Sequence, residues 1–465
     1  MIARIRKLFG FMKLAILGTN EDLSQIPIRR AIILLAVPMV LEMVMESLFA
    51  VIDIYFVNKI STNAVATVGL TESVITIIYA LGMGLSMAAT AMIARRIGEK
   101  KPAEASFTAM QAIILTLVLS GLLGLLGLYF ADDILILMGG SPELVQEGTN
   151  YTRIMYGGSG VIMLLFLING IFRGAGNASI AMRALIISNV LNIILDPLFI
   201  FGWGPIPAMG VTGAAVATTI GRSIGIFYQL YHLVKGGSLI KINWSQFTFD
   251  FPILERIIKI ASGGVGQFLI ESASWIFLMR IISSFDSEVL AGYTTAIRII
   301  IFTILPSFGI SNAAATLVGQ NLGANQPERA EKSVWLAAKY NVIFLFSVSI
   351  IFYLFAPEIV GIFTQEEAVM KEAIKAIQFI CFGYVFFAYG MVVSHAFNGA
   401  GDTRTPSIIN IVCFWIIQVP LAYFLAIKQE LMSDGVYLSI IGSFALLATI
   451  SIIWFRKGNW KSTQV

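Results

Sequence analysis

Along most of its length the chain alternates long apolar runs with short breaks that carry charge, glycine or proline. The runs lie near residues 32–57, 65–94, 107–130, 150–172, 180–202, 210–233, 258–284, 290–320, 333–355, 374–397, 406–427 and 435–456. Each exceeds the roughly 20 apolar residues that, wound as a helix, cross about 30 Å of hydrocarbon. In lipid only helices and closed barrels satisfy their backbone, and barrel strands show a weaker alternation over about ten residues. The pattern therefore predicts an all-α integral membrane protein with twelve transmembrane helices.

The pattern also repeats. At a constant offset of 225 residues, Gly98, Pro102 and Ala105 align with Gly323, Pro327 and Ala330. The same offset pairs Phe172, Gly174, Ala175 and Gly176 with Phe397, Gly399, Ala400 and Gly401, and Gly210-Val211 with Gly435-Val436. Six helices per repeat, an even number, make the halves parallel, related by a pseudo-two-fold axis along the membrane normal and able to rock about a central cavity. The expected organisation is a cytoplasmic amphipathic N-terminus (1–31), an N-lobe of helices 1–6 (32–233), a cytoplasmic linker (234–257), a C-lobe of helices 7–12 (258–456) and a cytoplasmic tail (457–465).

Composition agrees with a bilayer as solvent. The chain is 57% hydrophobic and 12% charged, with mean hydropathy +0.85, where a soluble domain carries about a quarter charged residues. The net charge of +4 changes the picture only through its placement. One set of alternate segments, including both chain ends, holds 23 Lys and Arg, whereas the other holds four: Lys59, Lys371, Lys375 and Lys428. The positive-inside rule then puts both termini in the cytoplasm of a multi-pass cell-membrane protein, and no nucleic-acid partner is implied. Residues 1–17, broken by Arg4, Arg6, Lys7 and Lys13, suit the membrane surface and lack the uninterrupted core of a signal peptide. Cys381 and Cys413 sit in apolar stretches and suggest neither a disulfide framework nor a thiolate metal site.

Acids inside the predicted helices carry the functional information, because each costs roughly 2.5–3.5 kcal/mol at a helix centre. Glu42, Glu46 and Asp53 share the first helix and, at about 100° per residue, one face within about 40°. Asp196 follows Asn192 by one turn on the fifth helix, so their oxygens can converge on a cation. Asp53, Asn169 and Thr218 are candidate further donors, since a hard cation needs several oxygens. Two adjacent carboxylates cannot both stay ionised without a cation, so Na⁺ and H⁺ would compete there. The competing structural reading pairs Asp53 or Asp196 with Arg153 or Arg222. In the second repeat Glu271 stands at the position of Glu46, while Leu278 and Leu421 replace Asp53 and Asp196. Glu271 is either a second protonation site, a negative cavity wall, or the partner of Arg298 or Arg280. His395 reads as a packing residue, and Pro38 either bends the first helix or opens it.

No HExxH motif occurs, only two histidines are present, and no GxxxxGK[ST] loop cradles phosphate. The chain is thus expected to be neither an enzyme nor an ATP-driven pump, and to need no cofactor beyond a coupling ion.

The residues Val37-Pro38-Met39 with Asp53, Ala94-Arg95-Arg96-Ile97-Gly98, Asn169-Gly170 leading to Arg173-Gly174, and above all Asn192-Ile193-Ile194-Leu195-Asp196-Pro197 resemble the multidrug and toxic compound extrusion (MATE) transporters over nearly the whole chain. The resemblance implies two six-helix lobes and outward export of organic cations or other amphiphiles against Na⁺ or H⁺. It places Asp53, Asn192, Asp196 and Thr218 in the family's N-lobe cation site, with Asn169 and Tyr151 as associated polar positions and Pro38 as the first-helix hinge. Glu271 matches an acid prominent in other branches. Glu42 and Glu46 depart from the family pattern and would make the cavity unusually negative.

The expected function is secondary antiport by a monomer that meets small organic cations and membrane lipids, with Na⁺ possible at Asp53, Asn192, Asp196 and Thr218. The alternative is a flippase for lipids or lipid-linked sugars, which usually have fourteen helices and basic cavities.

Overall fold

The computed structural model describes residues 2–18, 21–236, 239–243 and 248–465. Two parts of the expected linker, 237–238 and 244–247, lie outside the described residues. Among the described residues no strand forms, and Trp203 and Ile206 make only an isolated bridge. Ten segments are long and apolar enough to cross a membrane: Ile28–Val57, Thr62–Gly98, Pro102–Tyr129, Pro142–Gly174, Ala178–Phe201, Phe251–Ile282, Ser287–Gly323, Pro327–Leu354, Arg404–Lys428 and Met432–Arg456. An eleventh consists of Glu367–Phe382 and Tyr384–Ala400, bent by 55° around Gly383. The twelfth, Val211–Lys235, is less apolar because Thr218, Arg222 and Gln229 occupy its buried face. Its 25 residues reach about 37 Å, enough to cross, and it packs along Ala178–Phe201. In chain order these are the first to twelfth spans, Val211–Lys235 being the sixth and the bent pair the tenth.

The repeat is visible in the helix bounds. Thr62–Gly98 corresponds to Ser287–Gly323, and Pro102–Tyr129 to Pro327–Leu354, each residue displaced by the same 225 positions. Local chemistry sets several starts: Ser61, Ser141 and Asp250 accept from the amides of Ala64, Leu144 and Ile253, while Pro102, Pro142, Pro252 and Pro327 occupy first turns. Most helices begin before their apolar run does, because hydropathy marks the hydrocarbon whereas a helix continues through the headgroup layer. The first span starts at Ile28, which puts Pro38 in its interior instead of its first turn. The seventh starts at Phe251, so Glu255 and Arg256, expected in a linker, ride on its first turns. The described linker residues dock on the third span, where Gln111 donates to the Thr248 carbonyl and accepts from the Asp250 amide.

Both chain ends lie on one face of the bundle, here the terminal face. Ile2–Leu17 is helical as its amphipathic pattern suggests, and Arg183 donates to the carbonyls of Ile16 and Leu17. After the twelfth span, Trp460 stacks on Phe455 at 4.6 Å, and Arg95 donates to the Thr463 carbonyl. On this face the two repeats meet backbone to backbone at the ends of the second and eighth spans. A Cβ on Gly98 would collide with the Gln320 carbonyl, and one on Gly323 with the Arg95 carbonyl. These contacts exchange under the 225-residue shift, so the pseudo-two-fold axis passes between them. About 20 Å further along the same helices, Gly309 of the eighth span meets the first-span backbone at Met39 and Val40, and Gly84 of the second meets Ala261 of the seventh.

Candidate ion-coupling site

Asp53 and Asp196 converge near the end of the bundle opposite the termini, Asp53 four residues from the end of the first span and Asp196 five from the end of the fifth. Asp196 is fully buried and Asp53 9% exposed. Asn192 Nδ2 donates to Asp196 Oδ1 at 3.0 Å and lies 3.4 Å from Thr218 Oγ1 of the sixth span. Three buried oxygens are left without a hydrogen-bond partner: Asp53 Oδ1, Asp196 Oδ2 and Asn192 Oδ1. An unpaired buried polar atom costs on the order of 1–3 kcal/mol and an unpaired charge much more. Oxygens orphaned together on three helical positions are what a small hard cation or a proton would satisfy. Among the described residues no group of three or more acids, histidines or cysteines is placed to hold a metal ion by itself. Neither Asp53 nor Asp196 forms an ion pair among the described residues; Arg153 pairs with Asp132 and Arg222 with Glu46.

Tyr151, buried on the fourth span, lies within reach of the Asp53 charge. Glu72 of the second span also acts on Asp53, and Arg222 opposes it. Glu72 escapes the sequence reading although it is an acid inside the 65–94 run.

The remaining first-span acids sit deeper. Glu46 and Glu42 share the azimuth of Asp53 but lie seven and eleven residues before it, about 10 and 16 Å along the helix. Arg222 Nη2 is 3.3 Å from Glu46 Oε1, its Nη1 donates to the Tyr79 hydroxyl at 3.1 Å, and its guanidinium covers the Phe49 ring at 4.5 Å. Glu42, fully buried, faces Arg173 Nη2 at 3.8 Å. Arg173, expected among the loop cations, is instead buried and donates to Ser86 Oγ and the Asn169 carbonyl. Asn169 belongs to this deeper group, since its Oδ1 accepts from Gln229 and its side chain reaches Glu42; that oxygen is turned from the Asp53–Asp196 cluster. The expected acidic surplus is therefore partly offset: five carboxylates (Glu42, Glu46, Asp53, Glu72, Asp196) surround two guanidiniums (Arg173, Arg222).

The second repeat lacks this arrangement. Leu278, at the position of Asp53, is fully buried in the C-terminal core. Glu271 is half-buried and pairs with neither Arg280 nor Arg298, both of which are exposed. The eleventh span winds as a π-helix over Ile411–Gln418, where the fifth span is α-helical. His395 hydrogen-bonds Asn312 and packs edge-on to Phe308.

The family model described as MatE matches residues 38–198 and again 265–424, once in each repeat and over more than half the chain. The chain belongs to the MatE family. It is 26% identical over 446 residues, 94% of each chain, to a probable multidrug resistance protein NorM of Thermotoga maritima. It is 23% identical, over 87% of this chain and 89% of the relative, to an FAD transporter of Shewanella oneidensis. A solved structure described as an outward-facing multidrug resistance MATE transporter superposes with TM-score 0.89 at 29% identity, covering 95% of this chain and 98% of that one. MatE membership makes the protein a multi-pass membrane transporter and not an enzyme, with twelve helices in two repeats.

Proposed function

We propose that this MatE transporter exports organic cations or drugs in exchange for Na⁺ or H⁺ by alternating access, with the terminal face in the cytoplasm. The observation that supports this most is the set of orphaned oxygens on Asp53, Asp196 and Asn192 beside Thr218. A site that is incomplete without a cation binds one tightly in the conformation that assembles it, and a ligand shifts an equilibrium only through such differential affinity. Cation binding draws the first, fifth and sixth spans together, and organic substrate favours the orientation in which they part. After Arg173 and Arg222 are counted, the N-lobe keeps a surplus of carboxylate, and in the C-lobe the half-buried Glu271 forms no ion pair among the described residues. That surplus attracts cations and repels anionic headgroups. Residues 32–233 and 258–456 act as the moving lobes, Pro38 as the first-span hinge, and one copy of the chain suffices, surrounded by lipid.

The test uses purified protein in liposomes, with Na⁺ and pH gradients imposed separately while a fluorescent organic cation is followed. Gradient-driven dye movement that disappears in Asp53→Asn and Asp196→Asn is the expected result, and the effective gradient identifies the ion. Folded protein that moves no dye under either gradient would overturn the antiport reading and leave a lipid or lipid-linked-sugar flippase, checked by headgroup accessibility.

A further inference from the structure

Between the repeats on the terminal face lies a cavity of about 1050 Å³ that ion coupling does not use. Its walls hold six cations, Arg95, Arg96, Lys101, Arg256, Lys259 and Arg404, against the carboxylates of Glu99 and Asp402. Arg96 and Lys101 are already paired, with Glu99 at 2.7 and 3.8 Å and with Glu104 at 3.5 and 3.1 Å. Asp402 is committed as a cap, accepting from the Thr405 amide and hydroxyl. Arg95 forms no ion pair among the described residues, and it donates to the Thr463 carbonyl. Among the described residues the side chains of Arg256, Lys259 and Arg404 form neither ion pair nor hydrogen bond and are exposed.

These three unpaired cations and Arg95, which lies near Glu99, come from opposite sides of the seam. Arg95 ends the second span, in the first repeat, while Arg256 and Lys259 begin the seventh and Arg404 the eleventh, in the second. The glycine contact at Gly98 and Gly323 holds the seam shut without contributing charge. Closure therefore gathers six cations against two carboxylates that are already engaged, which raises its energy unless a counter-anion enters. Volume and charge together select a ligand larger and more charged than one inorganic phosphate, and basic pockets at the ends of transmembrane helices suit multiply phosphorylated headgroups.

We infer that this cavity binds a phosphate-bearing polyanion that bridges the two repeats and stabilises the conformation closed on the terminal face. The ligand comes either from the membrane, as a lipid headgroup with two or more phosphates, or from solution. The inference is independent of which solute is exported.

Calorimetric titration of the purified full chain with inorganic tripolyphosphate tests the soluble arm. Thermal stability in nanodiscs of zwitterionic lipid with and without a bis-phosphate lipid tests the membrane arm. Arg256→Gln/Lys259→Gln/Arg404→Gln should weaken the bound probe roughly a hundredfold, at about one charge contact per side chain. Arg256→Lys/Arg404→Lys should retain binding, and Lys371→Gln/Lys428→Gln, on the opposite face, should leave it unchanged. Stabilisation by the lipid that tripolyphosphate cannot displace assigns the membrane source, and tripolyphosphate binding in zwitterionic discs assigns the soluble one. If the triple variant binds both probes as the unmodified protein does, or the unmodified protein binds neither, the inference fails.

Discussion

Arg222 Nη2 lies 3.3 Å from Glu46 Oε1, joining the sixth span to the first span seven residues before Asp53. The Arg222 side chain is 4% exposed and that of Glu46 20%, so removing one partner strands the other in a poorly hydrated place. Arg222→Met alone should cost about 3 kcal/mol of stability, whereas Glu46→Gln/Arg222→Met should recover most of it. A double-mutant cycle on thermal midpoints in detergent measures the coupling, and additive losses would show that the pair is not coupled.

Asn192 donates to Asp196 and lies beside Thr218, so it orients a carboxylate in addition to offering its own oxygen. Asn192→Ala should raise the ion concentration for half-maximal transport by about 10-fold or more, the usual cost of losing a supporting ligand contact. Initial rates against Na⁺ concentration or pH report this, and maximal rate should change less than apparent affinity.

Pro38 withholds an amide from the first-span ladder, and two residues on, Val40 touches Gly309. A helix whose hydrogen-bond ladder is interrupted where it rests on the other repeat suits a hinge. Pro38→Ala should slow turnover several-fold while ion affinity stays within about twofold. Equilibrium ion binding measured alongside transport separates the two, and a matching loss in both would place Pro38 in the binding site.

Gly98→Val or Gly323→Val introduces a Cβ where a carbonyl of the opposite helix already lies. Overpacking of this kind costs about 1–3 kcal/mol, charged here to the closed terminal face alone. The equilibrium should shift roughly tenfold toward opening on that face. A reporter Ala91→Cys, buried in the unmodified protein, should then react faster with a membrane-impermeant thiol reagent applied to the terminal side. Cys381 and Cys413, both buried, make a quiet background.

Much of this was legible in the sequence, and the reasons are physical. Twelve apolar runs and a 225-residue echo survive as helices because bilayer thickness imposes length directly on composition. Asp53, Asn192, Asp196 and Thr218 come together because an intramembrane carboxylate is too costly to be incidental and a four-residue spacing stacks side chains. Helical periodicity gives azimuth without depth across helices, however. Glu42, Glu46 and Asp53 share a face yet have different neighbours, and Asn169 joins the Glu42 level through Gln229. Arg173, beside a glycine-rich break, looks like a loop cation, and only the fold turns it inward to Glu42. The charge bookkeeping of a site depends on such cross-helix pairs, which no single helix pattern records.

The peptide groups that meet at Gly98 and Gly323 already have partners within their own helices, so parting them strands no donor or acceptor. At this point the seam is held by dispersion, with Gln320 donating to the Gly174 carbonyl and Arg95 to the Thr463 carbonyl across it. On the proposed coupling, an ion at Asp53 and Asp196 needs only to outweigh these few contacts to change which orientation is favoured.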